Sequence, residues 1–170
     1  RLENLPESSR WYPGAGLYRN VHVIVTENAH IPVWGTYVTT PTATKEFAKV
    51  NVRTQIVLLE GADAGKYSVK TSVWNPNGQK LTEQTIPLSQ IKYNDNSLSQ
   101  EFIIQTPTLW SPDMPALYSA ETRLYEGDQL KDIYTTPFGI RSIEIIPNKG
   151  FFLNGEKTVF KGVYNHHDLG

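Results

Sequence analysis

The chain has 170 residues, and its 16 lysines and arginines nearly balance its 17 aspartates and glutamates, for a formal net charge of −1. This balance argues against a basic surface for nucleic acids or anionic membranes, and the absence of cysteine excludes disulfides and zinc–thiolate sites. The apolar runs are too short to span a membrane. The composition leaves the compartment open between the bacterial cytoplasm and periplasm.

The N-terminal part is predicted to be irregular and then extended. Residues 1–18 contain several prolines and glycines, which interrupt regular structure. From Arg19 onward, Val21, Val23 and Val25 alternate with other residues, which predicts a strand. A second extended segment is predicted for residues 31–39.

The centre of the chain contains the clearest strand signals. Alternating apolar residues predict strands at 48–59, 67–73, 80–91 and 98–105, with Pro87 marking a sheet edge or a break. Asn75-Pro76-Asn77-Gly78 predicts a tight turn, because Asn-Gly accepts the positive φ that hairpins require.

After a proline-rich loop at 107–115, alternation predicts strands at 117–125 and 130–146, and a small hairpin around Asn154-Gly155. No segment has the 3.6-residue periodicity of a helix. The abundance of aromatic residues, prolines and glycines also favours a β-rich fold. About seven strands between residues 31 and 141 predict an all-β fold, an immunoglobulin-like antiparallel β-sandwich with short flanking segments.

A polar tip at the end of the chain is the first candidate site. If residues 163–168 are extended, Tyr164, His166 and Asp168 share one face, while Asn165 and His167 share the other. The first face has the hydrogen-bonding groups to bind a polyhydroxylated ligand, although an ordinary polar strand end gives the same pattern. Adjacent histidines on a strand diverge and the usual zinc spacings are missing, so no metal site is predicted.

Carboxylates and tryptophans are further candidates. A carboxylate pair could serve glycoside hydrolysis, but alternation places Glu121 and Glu144 on a solvated strand face. Indole rings could stack on sugars or anchor a core, and Trp110, surrounded by prolines, is interpreted as a structural plug. The remaining candidates are the carboxylates Glu156 and Asp168, and the indoles Trp11, Trp34 and Trp74, of which Trp11 is the more open to a ligand.

Five stretches carry one resemblance: SRWYPGAGLYRNV at 9–21, LWSPDMPALY at 109–118, FGIR at 138–141, FLNG at 152–155 and KGV at 161–163. Together they resemble glycoside hydrolase family 2, which includes β-galactosidases, β-glucuronidases and β-mannosidases. Residues 9–21 resemble the end of its N-terminal jelly-roll domain. Residues 109–118, LWSPDMPALY, resemble an element of its immunoglobulin-like domain. FGIR at 138–141, FLNG at 152–155 and KGV at 161–163 resemble the junction into its catalytic (β/α)8 barrel.

The resemblance implies a domain division and a site. Residues 1–28 would be the tail of the jelly-roll domain, 29–141 the sandwich, and 142–170 the lead-in and first strand of a truncated barrel. In family members, residues at the positions of His166 and Asp168 line the sugar pocket at the barrel mouth. Asn165 belongs to the same motif, and here Asn165 and His167 stand where other members often have Arg and Glu.

The resemblance also implies that this stretch is not catalytic. The family is retaining and uses two glutamates on later barrel strands, and its Asn-Glu motif does not occur among these 170 residues. We therefore expect an inactive fragment without cofactors, from an enzyme that hydrolyses a β-linked glycoside. Its partners would be the jelly-roll and barrel domains, and a second copy in a homo-oligomer. The alternative is a free-standing carbohydrate-binding or adhesion sandwich.

Overall fold

A computed structural model describes residues 19–59, 61–90 and 97–164. These residues contain twelve strands and no α-helix; the only helical segments are two 3-10 turns. The strands are β1 (Ala29–His30), β2 (Thr36–Ala43), β3 (Phe47–Gln55), β4 (Val57–Leu58), β5 (Tyr67–Trp74), β6 (Lys80–Pro87), β7 (Ser97–Gln105), β8 (Tyr118–Glu126), β9 (Gln129–Phe138), β10 (Ile143–Ile146), β11 (Gly150–Leu153) and β12 (Glu156–Lys157). Within the described ranges, no helix has the length and hydrophobicity to cross a membrane.

Seven of these strands, each eight to ten residues long, build the predicted sandwich. One sheet has the order β2-β3-β7 and the other the order β6-β5-β8-β9, and every pairing is antiparallel. The short strands β1 and β4 pair with each other, and β10, β11 and β12 form a separate small sheet. The all-β, immunoglobulin-like fold class is therefore confirmed.

The core lies between the two large sheets and divides into two apolar clusters. One contains Val50 and Val52 of β3, Val73 of β5 and Phe102 of β7. The other is formed by eight buried residues: Ala29, Ile31, Ile56, Tyr67, Val69, Leu88, Leu98 and Leu124. The inward positions of each strand alternate with exposed ones, because successive side chains of a strand point to opposite faces.

A layer of buried polar side chains separates the two clusters. The Thr71 hydroxyl donates a hydrogen bond to Gln100 Oε1 at 2.6 Å and lies 3.3 Å from the Thr122 hydroxyl. Gln100 Nε2 donates to the Gln84 carbonyl of β6 at 2.9 Å, so the layer joins both sheets. Thr54, also fully buried, occupies the matching position of β3 between the clusters.

Two predicted strands are interrupted where the chain changes partners. The strand predicted at 48–59 ends at Gln55 and resumes as β4, because β3 pairs with β2 and β4 pairs with β1. The strand predicted at 130–146 is β9 and β10, separated by Gly139 and its neighbours. The predicted turn at 75–78 and the hairpin turn at Asn154-Gly155 are both present.

The strand predicted from Arg19 through the alternating valines is wrong. The chain divides into two compact units, Thr26–Val159 and a second unit of Arg1–Val25 with Phe160–Gly170. In the second unit, residues 19–25 and 160–164 are described, and they form no strand. Val21, Val23 and Val25 are exposed, so their alternation does not mark a buried face.

Candidate functional site

The predicted sugar-binding tip lies outside the described residues. Asn165, His166 and Asp168 all fall there, as does Trp11. The preceding residues 160–164 have no regular secondary structure, and Tyr164 is exposed. The proposed contacts of the tip with sugar hydroxyls therefore stay a prediction.

Trp110 occupies the structural position that the proline-rich loop predicts. Its backbone N–H donates to the Ile140 carbonyl at 2.8 Å, and the Arg141 guanidinium lies 4.8 Å from its ring centroid. The indole covers Gly139, where an added Cβ would lie only 2.8 Å from Trp110 Cβ. The half-buried ring thus packs against the chain between β9 and β10.

Asn154 fastens the small β10–β12 sheet to the sandwich. Its Nδ2 donates to the Trp110 carbonyl at 3.0 Å, and its Oδ1 accepts the Ser142 N–H at 3.0 Å. Its own N–H donates to the Ser142 carbonyl at 3.0 Å. Asn154 has φ 52° in the turn between β11 and β12, a conformation that asparagine tolerates better than most residues. We call this set of hydrogen bonds the Asn154 clamp.

The candidate carboxylates do not form a catalytic pair in the described part of the chain. Glu121 lies on the outer face of β8, where Arg123 Nη2 is 2.9 Å from its Oε1. Hydrogen bonding to Tyr125, and then the charge of Glu121, raises the pKa of Arg123. Glu144 and Glu156 are exposed on β10 and β12 of the small sheet. The prediction of a solvated strand face for Glu121 and Glu144 agrees with these positions.

A cleft of about 520 Å³ lies beside the β8–β9 turn. Lys131 Nζ is 3.2 Å from Glu126 Oε2 and 3.3 Å from Glu27 Oε2. Hydrogen bonds to Glu126 and then Glu27 raise the pKa of Lys131. These two ion pairs connect Glu27, which precedes β1, to the β8–β9 turn.

The described residues contain no group of three or more histidine, aspartate or glutamate side chains arranged to hold a metal ion.

Trp34 lies in a turn, whereas an extended segment is predicted there from the sequence. Residues 31–39 were expected to be extended, yet Pro32–Gly35 forms a tight turn in which Gly35 N–H donates to the Pro32 carbonyl at 2.8 Å. Trp34 is 88% exposed at this turn and has φ 63°. A left-handed backbone costs a non-glycine residue about 1–2 kcal/mol. Glycine or asparagine is usual at this position of such a turn.

Three hydrogen bonds hold the Trp34 turn in place. Ile31 N–H donates to Asp132 Oδ2 at 2.8 Å, and Trp34 N–H donates to the Tyr134 hydroxyl at 3.3 Å, both on β9. The Gly35 carbonyl accepts from Gln55 N–H of β3 at 2.7 Å. The turn therefore has a fixed backbone while its indole faces solvent.

Comparison with known proteins identifies the family. The family model described as Glycosyl hydrolases family 2 matches residues 29–141. The chain belongs to this family. The match covers the strands from β1 to β9 and the Trp110 loop, so family 2 accounts for the sandwich described above.

Relatives across the whole chain agree with membership of family 2. A β-galactosidase of Bacteroides ovatus is 36% identical over 171 residues, covering 100% of this chain and 20% of that protein. A putative β-glucuronidase of Formosa agariphila is 31% identical, covering 100% of this chain and 16% of that protein. The chain thus spans about a fifth of the length of the curated relatives it matches.

Solved structures of family 2 show the same fold. A β-glycosidase from Bacteroides vulgatus superimposes with a TM-score of 0.78 at 31% identity, covering 95% of this chain and 20% of that chain. A family 2 member from Bacteroides cellulosilyticus gives a TM-score of 0.75 at 33% identity, covering 85% of this chain and 19% of that chain.

Proposed function

We propose that this chain is a non-catalytic part of a retaining family 2 glycoside hydrolase that acts on a β-linked glycoside, with a β-galactosidase-like preference. Its role would be to set a preceding jelly-roll domain against a following (β/α)8 barrel. Residues 1–28 and 142–170 would belong to those two neighbours, and 29–141 would be the support between them. Asn165, His166 and Asp168 would contact sugar hydroxyls at the barrel mouth.

The Asn154 clamp is the observation that supports this role best. A spacer must hold the segment that follows it in a fixed orientation. Here the Asn154 side chain joins the sandwich loop at Trp110 to Ser142, the residue that precedes β10. The turn geometry is satisfied by asparagine itself, so the clamp adds two side-chain hydrogen bonds with little backbone strain. Such bonds hold a departing segment at a fixed angle to its support.

Three further points support a non-catalytic part of a β-glycoside hydrolase. The sequence contains no Asn-Glu pair of the kind that carries the acid/base glutamate in the resembled family. The names of two relatives, a β-galactosidase and a putative β-glucuronidase, both denote hydrolases of β-glycosides. This chain matches only about a fifth of each of those proteins.

Hydrogen exchange tests the supporting role. Asn154→Gly keeps the positive φ but removes both side-chain hydrogen bonds, which contribute about 0.5–1.5 kcal/mol each. The opening constant at Ser142 N–H should then rise roughly 10- to 100-fold, since each 1.4 kcal/mol is a factor of ten. Asn77→Ala, in an exposed turn, is the matched control and should leave Ser142 unchanged. Unchanged exchange in Asn154→Gly would contradict the role of the clamp.

Activity is tested directly on the 170-residue chain. The chain should release nitrophenol from a nitrophenyl β-galactoside no faster than buffer does, because the resembled family places both glutamates elsewhere. Turnover by the pure chain that disappears in His166→Ala would overturn the proposal of an inactive support domain.

A further inference from the structure

We propose that Trp34 is the stacking platform of a carbohydrate-binding site on the edge of the sandwich. The ligand class is a glycoside whose sugar ring lies on the indole. This site goes beyond the supporting role proposed above and does not depend on it.

The first argument is the combination of exposure and strain. An indole that served only to fill the core would be buried, yet Trp34 is 88% exposed. A turn that needed only to reverse the chain would favour glycine at φ 63°, and a strained residue persists where the surrounding structure enforces it. Strain of this kind, seen at an exposed side chain, points to a function of that side chain.

The second argument is preorganisation. Asp132 and Tyr134 hold the backbone on either side of the turn, and Gln55 holds the Gly35 carbonyl. The approach of Gly35 to Pro32 is also tight, because a Cβ at Gly35 would lie 2.6 Å from the Pro32 carbonyl oxygen. A platform that is already rigid loses little conformational entropy when a ligand binds.

The third argument is the chemistry around the ring. The face of an indole carries negative charge density, which attracts the positively polarised C–H groups of a pyranose face. Tyr37, three residues along and therefore within about 11 Å by chain length, is 67% exposed. Arg53 lies opposite Tyr37 in the β2–β3 pairing, and its Nε donates to the Ser97 hydroxyl at 3.0 Å. Tyr37 and Arg53 offer the polar atoms that sugar hydroxyls require.

The size of the patch favours a glycan over a protein. A stable protein interface buries about 800 Å² on each partner. Here the exposed apolar residues of the turn are only Val33 and Trp34, and polar residues of β2 and β3 follow. One exposed indole, with an exposed tyrosine three residues along the chain, matches one or two sugar rings. A site of this size is expected to bind with a millimolar dissociation constant.

The test follows indole N–H signals by NMR while the 170-residue chain is titrated with lactose and, separately, with methyl β-D-glucuronide. Saturable millimolar shifts at the Trp34 signal, but not at Trp74 or Trp110, support the site. Trp34→Gly should abolish binding without lowering the unfolding temperature, because glycine accepts the positive φ. Val33→Ala, a matched change on the same turn, should bind within about twofold of the original chain.

Three outcomes would overturn the proposal. One is no saturable shift with either sugar. A second is binding that survives Trp34→Gly. A third is self-association by sedimentation, without sugar, that Trp34→Gly removes, since Trp34 would then be a protein contact. Because the readout is binding and not Ser142 exchange, its failure is distinct from failure of the supporting role.

Discussion

Gly139 gives the sharpest test of how Trp110 packs against the chain between β9 and β10. In Gly139→Ala the new Cβ would lie 2.8 Å from both Cβ and Cγ of Trp110, whereas ordinary contacts begin at 3.4 Å. One of the two must therefore move by about 0.6 Å, the difference between these distances. Trp110 cannot yield easily, because its N–H is bonded to Ile140 and its carbonyl to Asn154. Overpacking of this kind typically costs 1–3 kcal/mol, and we expect about 2–3 kcal/mol here.

Thermal and denaturant unfolding measure this cost. For a chain of this length, 2–3 kcal/mol corresponds to a fall of roughly 4–12 °C in Tm. Gly162→Ala is the matched control, since no atom lies within 4 Å of a Cβ at that position and its φ is not positive. In a Trp110→Gly background the penalty should shrink, because Cβ, Cγ and Cδ1 are all gone. A Gly139→Ala variant as stable as Gly162→Ala, or a penalty unchanged by Trp110→Gly, would refute the reasoning.

Two further predictions concern the polar layer and the outer sheet face. Thr71→Val leaves Gln100 Oε1 buried without its hydrogen-bond donor at 2.6 Å, so the free energy of unfolding should fall by about 1–3 kcal/mol. The control Thr85→Val, at an exposed position, should change the free energy of unfolding by less than about 0.5 kcal/mol. Equal effects of the two valines in urea unfolding would contradict this. A hydrogen bond from Lys80, with the charge of Lys70, lowers the pKa of Glu83 below 4.5. Its ionisation therefore stabilises the fold above pH 4.5, and this contribution is lost as the pH falls through the lower folded-state pKa. Glu83→Gln should flatten stability against pH in that acidic range; an unchanged slope would show that the ion pairs do not form in solution.

Alternation predicted the sandwich because its inward positions are apolar with few exceptions. Val50 and Val52 on β3, and Val69 and Val73 on β5, mark their buried faces directly in the sequence. The same pattern failed at Val21, because alternation shows which residues share a face but not whether another element covers that face. Turn residues were equally informative at Asn154, whose positive φ the Asn-Gly pair anticipates.

The Asn154 clamp and the Trp34 turn depend on contacts between residues that are far apart in the sequence. Nothing local indicates that Asn154 reaches Trp110, 44 residues away, or that Tyr134 holds the backbone of Trp34 across 100 residues. The Trp34 turn could have been suspected from Pro32 and Gly35, which flank it and are common in turns. The prediction of an extended segment at 31–39 is wrong at this turn, where the Gly35 N–H donates to the Pro32 carbonyl.

The buried threonine–glutamine layer has a consequence for how the strands find their partners. Sliding β5 against β8 by two residues would keep every apolar side chain on the inner face, so hydrophobicity alone does not oppose that error. It would, however, move Thr122 away from Thr71, its partner in the correct pairing, and leave the Thr122 hydroxyl among valine and leucine. An unpaired buried hydroxyl costs about 1–3 kcal/mol. The layer thus favours the correct register of β5 and β8, because a misaligned pairing leaves a buried hydroxyl without a hydrogen bond.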